Sequence, residues 1–251
     1  MSDTRNKLYF VSDAHLGSGT DSHERERTLC RLLDSMKADA KRLVLLGDMF
    51  DFWFSYKHVV PRGHVRLLGK LAELSDAGVE IHYYIGNHDM WLFDYLEKEI
   101  GAVMHTEPDI MEFDGLRFLV GHGDGLDRRD RNYLRLRRMF RSRVCQWLFA
   151  RVSPSITFPI ATRWSDSNKA RHEYDRAKDA AGGGIPDYCL RRSTSENFDY
   201  CVFAHMHTPC HRQLLTQDGH ELPYINTGDW LTHRSYAVFD LQKGLALKNC
   251  L

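Results

Sequence analysis

Six short apolar runs punctuate the chain, and each ends in glycine or a polar residue: KLYFVSD, RLVLLGD, EIHYYIGN, LRFLVGHG, YCVFAHMH and LPYINTGD. Runs of this length, rich in Val, Ile, Leu, Tyr and Phe, predict strands buried between layers. Helical spacing separates several of them. Leu29, Leu32, Leu33 and Met36 recur at one face of a helix, as do Val65, Leu68, Leu71, Ala72 and Leu74. Strands alternating with helices predict an α/β architecture. From about Tyr200 onward no long helix intervenes, and an antiparallel arrangement is expected.

One region breaks this rhythm. Arg128 to Arg151 holds nine arginines and one aspartate, with Leu136, Phe140, Val144 and Trp147 or Leu148 spaced as a helical stripe. SPSITFP, with Pro154 and Pro159, is expected to break that helix. A second helical stretch should run to roughly Lys178, before the GGGIP stop at Gly182 to Pro186. Residues 127–190 therefore read as an inserted helical cap within a single domain spanning 1–251.

Composition narrows the setting. A chain of 251 residues, 43% hydrophobic and 27% charged, can bury a substantial core. Zero formal net charge gives no global attraction to nucleic acid. Six cysteines without a CxxC pair read as reduced thiols. The polar start MSDTRNK shows no secretory pattern, and no run reaches the ~20 apolar residues of a membrane span. The expected setting is the cytoplasm, with contact at the inner face of the cytoplasmic membrane left open.

The polar ends of the strands carry the chemistry. Asp13 and His15 sit in SDAHLGS, Asp48 in LLGDMFDFW, Asn87 in IGNHDMW, His122 in VGHGDG, and His205 and His207 in FAHMHTP. Alternate residues of a strand share a face, so Asp13 and His15 should project together. Ligands in α/β sheets gather beyond the carboxyl ends of strands, so one edge of one sheet is expected to carry all seven side chains. The steps Asp13–Asp48, Asp48–Asn87 and Asn87–His122 are 35, 39 and 35 residues, each near one βαβ unit. The step from His122 to His205 is 83, and the cap occupies the excess. Aspartate, asparagine and histidine without cysteine disfavour structural zinc and suit Mn²⁺ or Fe²⁺, with Zn²⁺ still open. Seven ligands exceed the needs of one ion. Two divalent ions ~3.5–4 Å apart, sharing a carboxylate, account for the number and could clamp a phosphoryl group and activate water.

These residues carry a resemblance. D-x-H, GD-x-x-D (Asp48 to Asp51), GNHD (Gly86 to Asp89), GH (Gly121, His122) and H-x-H (His205, His207) together resemble the calcineurin-like metallophosphoesterase superfamily over roughly residues 8–240. The resemblance implies a four-layer α/β-β/α sandwich. It implies that Asp13, His15, Asp48 and His207 hold one metal and Asp48, Asn87, His122 and His205 the other. It also makes His88 a general acid or charge stabiliser at the leaving oxygen, oriented by Asp89.

The Arg-rich cap after GHGDG, with GDMFDFWF and NTGDWLTHRSYAVFD, is similar to the UDP-2,3-diacylglucosamine diphosphatase family of the lipid A pathway. That likeness implies cleavage of a pyrophosphate to UMP and a diacylglucosamine 1-phosphate. It implies substrate contacts at Asn87, His205 and Asp130, and at Ser165, Asn168 and Lys169 in RWSDSNK. Two positions depart from that branch, whose best-known members carry Arg in place of His88 and Gly in place of Ala204; His88 matches the wider superfamily. A glycolipid with two acyl chains and two phosphates needs an apolar groove rimmed by arginines. The same helix could rest on an anionic membrane surface. Phosphoproteins, nucleotides or nucleic acids are the alternative substrates, and a non-catalytic scaffold is the remote one.

Overall fold

The structure, a computed structural model, describes residues 5–161 and 184–250. Its core is two stacked sheets. The first has six strands in the order β11 (Gly244–Asn249), β10 (Ser235–Asp240), β1 (Lys7–Val11), β2 (Ala40–Leu45), β3 (Glu80–Tyr84) and β4 (Val103–His105). The second has five, in the order β5 (Asp109–Phe113), β6 (Leu116–Val120), β7 (Tyr200–Phe203), β9 (Glu221–Asn226) and β8 (Cys210–Leu215).

Period-two alternation builds the layers. Leu8 and Phe10 of β1 and Val44 of β2 enter the inter-sheet core, where they meet Phe118, Val120, Val202 and Phe239. Tyr9, Val11, Leu43 and Leu45 face the other way, onto α1 (Ser22–Met36) and α2 (Val65–Asp76). A third cluster, including Leu119, Cys201 and Phe203, packs under α6 (Ile185–Ser193) beyond the second sheet. The four layers are thus helix, sheet, sheet, helix. All six runs read from the sequence are strands, and the stripe of α1 is buried as expected; in α2 the buried face is Leu67, Leu71 and Leu74, with Leu68 and Ala72 half-buried and Val65 exposed.

Three expectations need correction. The candidate ligands do not share one sheet: β1, β2 and β3 lead to Asp13, His15, Asp48 and Asn87, whereas β6 and β7 of the other sheet lead to His122, His205 and His207. The closing portion is mixed rather than antiparallel, because β7 pairs parallel with both β6 and β9. The Arg-rich stretch is two helices, α4 (Arg131–Phe140) and α5 (Arg143–Phe149), divided where Ser142 caps the second through the Cys145 amide at 3.2 Å. Pro154 begins a further helical segment, 154–161, that contains Pro159, so the break precedes SPSITFP. A proline is tolerated at a helix start because that amide has no intrahelical partner.

Candidate metal centre

The turns after β1 and β2 are zipped together. The Asp13 amide donates to the Gly47 carbonyl at 3.1 Å and the His15 amide to the Asp48 carbonyl at 2.9 Å. Buried Arg25, one helical turn before Leu29, locks this turn by donating to the carbonyls of Ala14, His15 and Ser18 at 2.6–3.0 Å. In the second sheet the Ala204 amide reaches the His122 carbonyl at 2.9 Å, which sets the turn after β7 beside the turn after β6. The sheets meet where the His205 amide donates to the Asp13 carboxylate at 3.2 Å.

Backbone strain concentrates at this junction. Asp13, His15, Asp48, His205 and His207 all have positive φ, from 41° to 71°. Such a conformation costs a non-glycine residue roughly 1–2 kcal/mol and persists only where the surroundings impose it. Glycine is required at one neighbour: a Cβ on Gly86 would stand 2.1 Å from Asp48 Oδ1.

All seven side chains converge. His15 Nε2 lies 3.1 Å from His207 Nε2, and His207 Nε2 lies 3.1 Å from Asp13 Oδ1. His122 Nε2 lies 3.3 Å from Asp48 Oδ2 and 3.2 Å from Asn87 Oδ1. Ligand atoms of Asp13, His15 and His207 fall within 4.8 Å of one another, as do those of Asp48, His122 and His205. Asp13 Oδ1 and Asp48 Oδ2 are buried with no donor in hydrogen-bonding geometry. Stranding carboxylate oxygens in a core is costly unless a cation meets them. The oxygens, the imidazoles turned toward each other and the absence of cysteine from the set fit divalent cations.

His88 lies at the inner edge of the same cluster, its ligand atom within 4.8 Å of those of His15 and Asp48. Its Nδ1 is engaged by the Asp51 carbonyl at 2.9 Å, and its ring meets His15 edge-on at 4.6 Å. Asp89 is occupied elsewhere, accepting from the Met49 and Gly86 amides at 2.9 Å and from the Tyr83 hydroxyl. Asp51, not Asp89, therefore touches His88. Asp130 caps α4 through the Tyr133 amide at 3.0 Å. Ser165, Asn168 and Lys169 lie outside the described residues. Sequence reasoning passed over Arg25, although its i, i+4 spacing to Leu29 puts a cation on the buried face of α1. It also passed over Asp124, which receives Arg137 Nε at 2.7 Å and the Tyr133 hydroxyl at 3.0 Å and so ties α4 to the turn bearing His122.

Electrostatics follow from burial and charge. Burial opposes ionisation of Asp13, but His207 beside it holds the carboxyl down to about 2. Burial alone would lower His122; Asp48 overrides it and raises the imidazole to about 10. His207 is raised for the same reason, Asp13 outweighing burial. Burial and then the charge of His122 push His205 down to about 4. Burial and the neighbouring Asp48 push Asp89 up to about 6.

A pH dependence follows. Below its raised pKa, His122 holds a proton that would have to leave before the ring could ligate, so a cation bound there would expel it. Apparent Mn²⁺ affinity should rise about tenfold per pH unit for each proton released, from neutrality toward pH 10. Calorimetry in buffers of different ionisation heat counts that proton; flat affinity between about pH 7 and 9 would contradict the prediction.

Residues 7–209 match the model of the calcineurin-like phosphoesterase family. The chain belongs to that family. A UDP-2,3-diacylglucosamine hydrolase of Porphyromonas gingivalis is 40% identical over 94% of this chain and 95% of its own. A protein of the same name from Aeromonas salmonicida is 29% identical over 91% of this chain and 88% of its own. Membership, together with the buried carboxylate and imidazole cluster, makes this calcineurin-like phosphoesterase a metal-dependent hydrolase of phosphoesters or pyrophosphates.

Proposed function

We propose that the protein hydrolyses the pyrophosphate of UDP-2,3-diacylglucosamine to UMP and 2,3-diacylglucosamine 1-phosphate. One observation carries this reading. A cavity of about 380 Å³ opens on Asn87 and His88 and is walled by Phe52, Trp91, Leu136, Phe140, Phe149 and Ile160. A phosphoprotein or nucleotide has no use for an apolar cleft at the metal edge, whereas an acyl chain does. The names of the relatives point to the same substrate.

Two divalent ions are proposed, Mn²⁺ first among them, with Asp48 shared. When bound, they would polarise the phosphate and lower the pKa of a water ligand. The chain's own groups do the rest. The Asp51 carbonyl engages His88 Nδ1 and fixes the ring, and His88 is the proposed proton donor to the departing phosphate oxygen. Arg137 lines the cavity while anchored by Asp124, which sets a guanidinium between phosphate and lipid ends. Asn87, His205 and Asp130 are the proposed substrate contacts among the described residues. Residues 127–190 are proposed as the inserted cap; among its described residues, Leu136, Phe140, Phe149 and Ile160 wall the cavity.

Incubation with Mn²⁺ and UDP-2,3-diacylglucosamine should release UMP. Failure to do so, alongside hydrolysis of a small phosphodiester, would remove the substrate and leave the chemistry.

Contact with a membrane's inner face is part of the same proposal. No described helix is long and apolar enough to cross a membrane. Val144, Trp147, Leu148, Ile156 and Ile160 are instead exposed on the cap, with Arg151 stacked 3.6 Å above the Trp147 ring. Apolar side chains among arginines suit the boundary of an anionic bilayer. Trp147→Glu with Leu148→Glu should cut sedimentation with phosphatidylglycerol vesicles about tenfold or more while leaving hydrolysis of a small phosphodiester unchanged. Equal sedimentation of the variant would count against this surface.

A further inference from the structure

The segment NTGDWLTHRS, Asn226 to Ser235, contributes no ligand, yet it is folded against the centre. The Trp230 amide donates to the Asp13 carbonyl at 3.0 Å. Ser12 Oγ meets Thr227 Oγ1 at 2.7 Å, and Ser235 Oγ donates to the Thr227 carbonyl at 2.6 Å. Gly228, at φ 74°, lets the loop close, since a Cβ there would lie 2.5 Å from Ser235 Oγ.

Asp229 sits at the middle of this loop, 1% exposed. Its Oδ1 is fully used, accepting from the amides of Thr232 and His233 at 2.9 Å and from His233 Nδ1 at 3.2 Å. Its Oδ2 is buried with no hydrogen-bond donor and faces His207 Nδ1 at 3.6 Å. That separation is too long for a hydrogen bond but short for a charge–dipole contact in a dry interior. The opposite nitrogen of the same ring, Nε2, is the one 3.1 Å from Asp13 Oδ1. By contrast, His122 Nδ1 is backed by the neutral Leu46 carbonyl at 2.7 Å.

We propose that Asp229 is a positioning residue for His207: its buried carboxylate, fixed by the Thr232 and His233 amides, holds the ring with Nε2 turned to the cation and makes the imidazole a stronger donor. A carboxylate behind a ligating histidine does both, and losing one weakens metal binding about 10–100-fold. The proposal rests on the two-ion reading above and concerns only the ion held by His207.

Mn²⁺ binding to the full chain, followed by electron paramagnetic resonance of free ion against total, tests it. Asp229→Asn should weaken one class of Mn²⁺ site about 10–100-fold and leave the other within about threefold. In a His207→Ala background the same change should add less than about threefold, because the side chain through which Asp229 acts is gone. Asp229→Ser, whose hydroxyl can still accept from the Thr232 amide, provides the comparison if the asparagine variant fails to fold, with the same one-site loss expected. Unchanged affinities in the folded variant overturn the inference, as do equal losses at both sites or a full effect without His207. A wild-type protein that binds no Mn²⁺ overturns the two-ion reading and this inference together. Two intact sites indifferent to Asp229 overturn the inference alone.

Discussion

Asp48→Ala is expected to lower kcat/KM on any phosphodiester about ten-thousand-fold, a loss of roughly 5 kcal/mol in transition-state stabilisation. Asp48 is buried, and its oxygens are divided among the groups that would surround both ions. Oδ1 accepts the His88 amide at 2.8 Å, whereas Oδ2 faces His122 Nε2 at 3.3 Å and His15 Nε2 at 3.9 Å. Alanine removes the proposed shared ligand and the carboxylate that stands 3.3 Å from His122 Nε2. Mn²⁺ stoichiometry should fall with turnover, which separates loss of metal from loss of a proton donor. His88→Ala, by comparison, should spare metal content while slowing catalysis about 100-fold. An Asp48→Ala enzyme with full metal content and near-normal turnover would exclude the shared-ligand arrangement.

Gly86→Ala should be nearly as damaging, although it adds only one methyl group. Its Cβ would meet Asp48 Oδ1 at 2.1 Å and the Asp48 amide nitrogen at 2.5 Å. Neither can retreat, because the Asp48 turn is bonded to β1 and Gly47 is itself packed against Gly86, where a Cβ would stand 2.6 Å from the Gly86 nitrogen. Overpacking at such a point costs about 3 kcal/mol, and for a chain of this size that lowers Tm by roughly 6–10 °C. Activity should drop at least about 100-fold even in the fraction that folds, since the displaced group is a proposed ligand. A Tm within about 2 °C of wild type, with activity retained, would show that the two turns are looser than their contacts indicate.

The strands that lead to the centre were legible because each is a continuous apolar run ending in a residue with no place in a core. β5 and β8 were not read, because Asp109, Glu112 and His211 interrupt their apolar pattern and both are edge strands with one side open. The division between the sheets was equally hidden. Asn87 and His122 stand 35 residues apart, like the preceding pairs, but β4 and β5 occupy that interval and carry the chain across to the other sheet. Spacing reports how much chain is used, not where it goes. The candidate ligands, which the fold brings together, were readable from residue type. Their supports were not: Arg25, Asp51 and Asp124 act through carbonyls and side chains brought near by folding, and neither GD-x-x-D nor GHGDG says what Asp51 or Asp124 touches.

Because the candidate ligands are drawn from both halves of the sandwich, cation occupancy would also be a property of the fold. The ions would act as a clasp at one end of two leaves whose shared core is apolar, with polar ties such as Tyr84 to Asp109 and Arg42 to the Glu112 carbonyl elsewhere between them. Each tenfold excess of free cation over its dissociation constant then adds about 1.4 kcal/mol to the resistance against unfolding. A chelator should therefore loosen the leaves from the catalytic end first, with amide hydrogens in the turns after β1, β2, β6 and β7 exchanging before those of the strand centres.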